Sequence, residues 1–352
     1  MRRLATVFLA LIVLPILAAD NAREERIRGI LQERVDAGKS VGLVGGIVDE
    51  NGAQVIGCGR LSRNSDSSIN GDTFFEIGSI SKAFTGVLLA LAVQRGDVRL
   101  EDTVSKHLPE KVKLPSLNET QITLQHLANH SSGLPRMPNN FRPKDAANPY
   151  ADYSVQNMYD FLCGHTLRRS PGEKYEYSNL GVGLLGHVLA LKAETDYEKL
   201  VIERVCKPLG MNDTRIRLSP EDFTRMAKPH DLTLKEVKNW DIMTFAGAGG
   251  LRSTVNDMLK FVAANCGLQQ SELASAMNES HGHRASTGSG AGQVALGWHV
   301  SPKGKNEIIW HNGGTGGYRT FVGFIKEKRL GVVVLNNSEN SVDDIGFRLL
   351  SE

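Results

Sequence analysis

Phe75-Glu76-Ile77-Gly78-Ser79-Ile80-Ser81-Lys82-Ala83-Phe84-Thr85-Gly86 places a serine three residues ahead of a lysine at the start of an apolar run. The run continues to Val93 in Leu, Ala and Val, and this pattern predicts a helix that begins near Ser79 and ends before Gly96. Residues i and i+3 of a helix share a face, which sets Lys82 beside the Ser79 hydroxyl. A helix N-terminus adds free N–H groups and a positive dipole end, both of which favour the negative charge that develops during acyl transfer. A lysine desolvated between these features becomes neutral enough to take a proton, so the pair reads as a nucleophile with its base. Alone, S-x-x-K arises about once by chance in a chain of this length, and its bland meaning is a surface helix cap.

Two later segments change those odds. In Pro171-Gly172-Glu173-Lys174-Tyr175-Glu176-Tyr177-Ser178-Asn179-Leu180-Gly181, a Pro-Gly turn leads through aromatics into a second apolar run, and Tyr177 and Asn179 flank a serine. Tyrosine serves as a proton shuttle when neighbouring cations lower its pKa, and an Asn side chain can hold Lys82 and bind a substrate amide. In Ile308-Ile309-Trp310-His311-Asn312-Gly313-Gly314-Thr315-Gly316-Gly317-Tyr318, a strand-like run passes into a glycine-dense segment, a composition that permits close backbone approach to a ligand. Taken singly, Tyr177 is equally well structural, and the His311 segment reads as a loose hairpin.

S-x-x-K, then Y-x-N, then H-x-G in this order resemble the three signature motifs of the penicillin-recognising serine hydrolases. The resemblance is to class C β-lactamases, D-alanyl-D-alanine carboxypeptidases and family VIII carboxylesterases, and it runs from about Glu24 to the C-terminus. His126-Leu127-Ala128-Asn129-His130-Ser131-Ser132-Gly133-Leu134-Pro135 and the Ala246 to Thr254 segment are similar to stretches common in that superfamily. It implies Ser79 as the acylated nucleophile, Lys82 as its base or relay, and Tyr177 as the group that protonates the leaving atom and later activates water. It further implies that Asn179 positions the substrate amide, and that the backbone N–H groups of Ser79 and Gly314 form the oxyanion hole. His311, Asn312 and Gly313 stand where class C β-lactamases usually carry K-T-G. A histidine there exchanges a permanent charge for one that titrates near neutrality, and Asn312 replaces a carboxylate-binding hydroxyl with an amide that can still donate. The implied substrates are a β-lactam first, with a D-Ala-D-Ala peptide or a short acyl ester as alternatives, and a slowly deacylating penicillin-binding sensor as the non-enzyme reading. No cofactor is implied.

The N-terminus reads as an export signal. Met1-Arg2-Arg3 precedes a fourteen-residue apolar run, Leu4 to Leu17, and then Ala18-Ala19-Asp20. The run is short of the about 20 residues of a membrane span, so residues 1–19 are expected to be cleaved, leaving a periplasmic or secreted protein without a membrane span. With 41 basic and 39 acidic residues the net charge is +2, which gives no footprint for nucleic acid. Cys58, Cys163, Cys206 and Cys266 are widely spaced and read as buried thiols. His281-Gly282-His283 lacks further ligands at metal spacing, so no metal is expected. The absence of G-x-S-x-G argues against an α/β-hydrolase elbow.

The fold expected is α/β in the α+β sense and β-lactamase/transpeptidase-like: an antiparallel sheet flanked by helices, with an inserted, mostly helical region. After an amphipathic helix over Ala22 to Ala37, strands over Val41 to Val48 and Ala53 to Cys58 flank an Asn51-Gly52 hairpin turn. Strands return at Glu307 to His311, Thr320 to Ile325 and Arg329 to Asn336, before a helix near Val342 to Leu350. One unit over 20–352 follows, and it is read as a monomer. Its sheet lobe takes about 20–78 and 242–352, and its helical lobe 79–241. Arg252 and Arg319 are read as packing arginines, and the glycines of Gly247 to Gly250 as architecture.

Overall fold

The computed structural model describes residues 5–351. The first four residues of the expected leader therefore lie outside the described residues. The helix anticipated over 22–37 is the second half of α1 (Ala5–Asp36). Ile27, Ile30 and Leu31 are buried at the spacing of one helical face, and they meet Leu43, Ile47 and Ile56 of the first hairpin. Among the described residues no helix is long and apolar enough to cross a membrane.

That hairpin is β1 (Gly42–Asp49) and β2 (Gly52–Gly59). Its turn sits one residue earlier than expected. Asp49 pairs with Gly52, so Glu50 and Asn51 form the loop, and Gly52 opens the return strand at φ 117°, a conformation that glycine alone adopts cheaply. Asp49 Oδ1 accepts from the Asn51 N–H at 2.8 Å, which fixes this register locally.

A two-residue strand β3 (Phe75–Glu76) pairs with β4 (Arg252–Ser253) outside the main sheet. The main sheet is completed by β5 (Ala285–Ser286), β6 (Gln293–Val294), β7 (His299–Lys303), β8 (Asn306–Gly314), β9 (Arg319–Ile325) and β10 (Leu330–Asn336). Its order is β2-β1-β10-β9-β8-β7-β6-β5, antiparallel throughout. The strands from the two ends of the chain thus meet as neighbours, with Val44 opposite Leu335 and Ile47 opposite Val332.

Both faces of the sheet are apolar because successive side chains alternate. Val332 and Val334 of β10 point to α1 and to the C-terminal helix Asp343–Leu349, while Val333 and Leu335 point to the helical lobe. Gly45 and Gly46 of β1 let helices press on opposite faces, since a Cβ on Gly45 would lie 3.0 Å from Leu31 and one on Gly46 2.6 Å from Val255.

The helical lobe is built on α2 (Ser81–Gln94), whose residues Ser81 to Ala90 are all buried. A helix apolar on every side is a core helix, and here α3 (Leu124–Ala128), α5 (Asn179–Lys192) and the helices Ala246–Gly249 and Ala274–Ser280 pack against it, with α4 (Val155–Gly164) elsewhere in the same lobe. Phe84 stacks on Phe261 with ring centroids 4.0 Å apart. The helix starts at Ser81 and not at Ser79, because a 3₁₀ turn over Gly78–Ile80 enters it with Gly78 at φ 53°. The long loop from Met137 to Tyr153 stays irregular, as its Pro and Asn content implies.

Cys58, Cys206 and Cys266 are buried free thiols, as expected, but Cys163 is exposed. It closes the exposed end of α4, where its sulfur accepts from the Lys113 N–H at 3.3 Å.

Gly86 gives a test in which two effects oppose each other. Helix propensity alone makes Gly86→Ala stabilising by about 1 kcal/mol. The new Cβ, however, would lie 1.8 Å from the Leu296 carbonyl, which belongs to backbone and cannot swing aside. We expect the urea midpoint to fall, by about 1–3 kcal/mol of stability; a raised midpoint would show that α2 does not approach this closely.

Candidate active site

Ser79 sits part-exposed on the 3₁₀ turn, and Lys82, fully buried, occupies the first turn of α2. Lys82 Nζ lies 3.0 Å from Ser79 Oγ, 2.9 Å from Asn179 Oδ1 and 2.6 Å from the Ala248 carbonyl. Burial, followed by the positive charge of Arg136, pushes the Lys82 amine well below its usual range. A neutral amine has two N–H donors and one lone pair. Asn179 Oδ1 and the Ala248 carbonyl can only accept, so they take both protons and leave the lone pair facing the Ser79 hydroxyl.

Tyr177 precedes α5, whose first residue is Asn179. Ser178 caps that helix by accepting from the Gly181 N–H at 2.8 Å, and it donates to the Pro135 carbonyl at 2.7 Å. Tyr177 stands near enough to Ser79 for the two to interact, with Lys82 Nζ 4.9 Å from its ring centroid. A shuttle role would be helped if nearby cations lowered its pKa. Instead desolvation dominates and raises it, with Ser79 and Arg136 as weaker opposing influences, so the group present at neutral pH is the phenol.

The loop carrying Tyr177 is held by a residue that motif reading left without a role. His130, buried at φ 61°, stacks on Tyr177 with centroids 4.5 Å apart, and its Nδ1 accepts from the Ser178 N–H at 3.1 Å. Its carbonyl takes the Glu176 N–H at 2.7 Å, and the Ser131 carbonyl takes that of Gly172 at 2.7 Å. The 126–135 segment is therefore a clamp for the second motif.

β8 brings the third motif alongside. Gly313 is obligatory, because a Cβ there would sit 2.0 Å from the Ile77 carbonyl. Thr315 donates its N–H to Tyr318 across the hairpin. Hydrogen-bonding sides alternate along an antiparallel strand, so Gly314 turns its N–H away from β9, beyond the end of β7. Its nitrogen lies beside Gly78, 2.7 Å from where a Cβ of that residue would stand.

Two expectations for this motif need correction. Asn312 does not face the cleft. Strand alternation sends its amide to the other side of the sheet, where it donates to Asp343 at 2.7 Å. His311 lies buried on the face opposite to that amide, against Tyr177 and His299, but it does not titrate near neutrality: burial, His299 and Lys82 push it well below the ordinary histidine range. His299, 4.9 Å away between ring centroids, is pushed down to about 4 by burial and then by Lys82.

The Ala246 to Thr254 segment is likewise more than architecture, since Ala248 supplies the carbonyl on Lys82 and lines the cleft with Gly249. Nothing in a Gly/Ala run signals a carbonyl role. The cleft is lined by Ser79, Asn179 and Gly314 together with the aromatic side chains of Tyr150, Trp240 and Phe245. Glu76 anchors Trp240 by accepting from its backbone N–H at 2.9 Å. Arg252 packs as expected, buried 3.4 Å from Glu76. Arg319 donates to the Thr315 and Tyr318 carbonyls. A separate groove bounded by Leu88, Leu189 and Arg204 contains no serine, cysteine or histidine. His281 is buried on Asn265, and His283 pairs with Glu279.

With this arrangement described, comparison with known proteins is direct: the β-lactamase family profile matches residues 27–349. The chain belongs to the β-lactamase family. Within this family it is 31% identical over 285 residues to the D-alanyl-D-alanine-carboxypeptidase/endopeptidase AmpH of Escherichia coli K12, covering 75% of this chain and 71% of that protein. A β-lactamase of Pseudomonas fluorescens is 27% identical, over 89% of this chain and 92% of its own length. Among solved structures, the D-alanine carboxypeptidase AmpC of Burkholderia cenocepacia superposes with a TM-score of 0.79 at 25% identity, covering 95% of this chain and 99% of that one. The family is one of serine hydrolases, and the antiparallel sheet flanked by helices is its fold.

The histidines of this site generate a pH prediction. His299 titrates at about 4 when folded against an ordinary 6.5, so the unfolded chain binds its proton first as the pH falls. This contribution to stability is complete above about 6.5 and is lost progressively toward 4. Urea midpoints should fall between pH 7 and pH 5, and His299→Gln should flatten part of that slope. An unchanged slope in the variant would remove His299 as a source.

Proposed function

We propose that this protein is a serine hydrolase of β-lactams or D-Ala-D-Ala peptides that works through an acyl-enzyme on Ser79, exported to the periplasm or beyond. The observation that carries the reading is the environment of Lys82, whose two obligate acceptors leave its lone pair for Ser79. Lys82 takes the Ser79 proton as Oγ bonds to the substrate carbonyl carbon. The oxyanion forms against the N–H groups of Ser79 and Gly314, a device worth about 2.7–4 kcal/mol per donor. As the C–N bond breaks, Tyr177 gives its phenolic proton to the leaving nitrogen and recovers one from Lys82. Water then attacks the acyl carbon by the reverse proton path and frees Ser79. Asn179 holds Lys82 through Oδ1 and keeps its Nδ2 for the substrate carbonyl. The names of the relatives support both substrate classes, and the basic start and apolar run of 1–19 support export.

An ester reading also has a specific observation in its favour. With His311 neutral and Asn312 turned to Asp343, the third motif offers no side-chain cation to a substrate carboxylate, and a simple ester needs none.

Intact mass and product release after mixing with benzylpenicillin separate these readings. An adduct that clears as product accumulates is expected. A persistent adduct would indicate a slow-deacylating penicillin-binding protein, and no adduct with rapid ester cleavage would indicate an esterase. Ser79→Ala should form no adduct with any donor, and retained turnover in it would refute the nucleophile. Lys82→Met should lower the acylation rate by about 10²–10⁴-fold, as loss of a general base does.

A further inference from the structure

We propose that Arg136, exposed and set over the Tyr177 ring, is the residue that receives a carboxylate on the substrate. This inference rests on the acyl-hydrolase reading and assigns a specificity contact within it. A carboxylate bound in a cleft needs donors that carry positive charge, and a guanidinium fork matches its two oxygens best.

The third-motif strand cannot supply them. His311 Nδ1 lies 2.6 Å from the Asn312 carbonyl, which only accepts, so Nδ1 carries the ring proton. Nε2 is then a bare lone pair, buried and without a hydrogen-bond partner among the described residues. A lone pair repels a carboxylate and suits an O–H or N–H donor. The Asn312 amide is spent on Asp343, and the Lys82 protons on Asn179 and Ala248.

Three arginines remain near the cleft. Arg252 is buried, with its guanidinium on the Ile216 and Trp240 carbonyls beside Glu76. Arg319 spends Nη1 on two carbonyls and sets Nη2 3.6 Å from Glu339. Arg136 differs from both. It is exposed, its Cζ lies 5.1 Å from the Tyr177 ring centroid, and among the described residues its guanidinium has no hydrogen-bond or ion-pair partner. Its carbonyl accepts from the N–H groups of Asn179 at 3.0 Å and Leu180 at 3.2 Å, which fixes its backbone to the start of α5. A free fork on a fixed base, beside the Tyr177 ring, is a ready anion contact. Its charge is already felt at Lys82, His130 and Tyr177.

The test uses matched donors: benzylpenicillin against its methyl ester, and a phenylacetyl phenyl ester with and without a carboxylate on the phenyl ring. The ratio of kcat/KM, carboxylate over neutral, should fall about 10–100-fold in Arg136→Gln, mainly through KM, as expected for a hydrogen bond to a charged group. Arg136→Lys should restore part of the loss, and Arg319→Gln should change the ratio far less. A ratio unmoved in Arg136→Gln, or one lost in Arg319→Gln instead, overturns the proposal. So does a wild type that turns over both members of each pair equally. Absence of a Ser79 adduct with every donor would instead defeat the acyl-hydrolase reading itself, a separate result visible in the wild type alone.

Discussion

An amine with no exposed surface is the constraint on which this structure turns. Burying Lys82 as a cation would be costly, and among the described residues no carboxylate acts on it to offset the charge; the nearby charge is Arg136, which is of like sign. The neutral form needs only acceptors for its two protons, and those come from opposite ends of the fold: Asn179 from the helical lobe and Ala248 from the segment that leads back into the sheet lobe. The same packing that hides Lys82 from water therefore sets its protonation state, its orientation and the relative position of the two lobes. A second polar contact braces the seam, since Thr320 Oγ1 of β9 donates to the Ile77 carbonyl two residues before Ser79.

Much of this was legible in the order of the residues. Ser79, Lys82, Tyr177, Asn179, His311 and Gly314 stand in one region, because helical i, i+3 spacing and strand turns are local rules that survive into the tertiary structure. The alternating runs of β1, β9 and β10 gave their strands for the same reason. β5, β6 and β7 were missed, the first two being only two residues long and without a full period of alternation. Asn312 was misplaced because a motif names residues without the pleat that faces neighbours in opposite directions. The pKa direction of His311 was misjudged and that of Tyr177 left open because desolvation depends on what surrounds a group, which one sequence does not display. His130 and Ala248 act through ring stacking and a backbone carbonyl, and neither leaves a mark on spacing.

Glycine makes the lobes close enough for these contacts to exist. Side chains at Gly78, Gly297 and Gly313 would each meet backbone, 2.7 Å from Gly314 nitrogen, 2.1 Å from the Lys82 carbonyl and 2.0 Å from the Ile77 carbonyl respectively. The turn that carries Ser79 is thus clamped between strand and loop with no side-chain layer between, which limits its freedom to shift. In the mechanism proposed above, rigid placement of this kind would keep the two N–H groups aimed at the oxyanion without reorganising.

The antiparallel union of β1 with β10 has a temporal consequence. Val44 must find Leu335, and Leu43 must find Asn336, across nearly the whole chain. Loop-closure entropy makes such remote pairings late events, and β9 and β8 are ordered outward from the strand that arrives last. Gly314 can therefore take its place beside Ser79 only when almost the entire polypeptide has emerged. A partly made chain carries the serine and the lysine together on a nascent helix, yet lacks the wall that completes the cleft, so chemical competence is withheld until the last stretch of sequence is in hand.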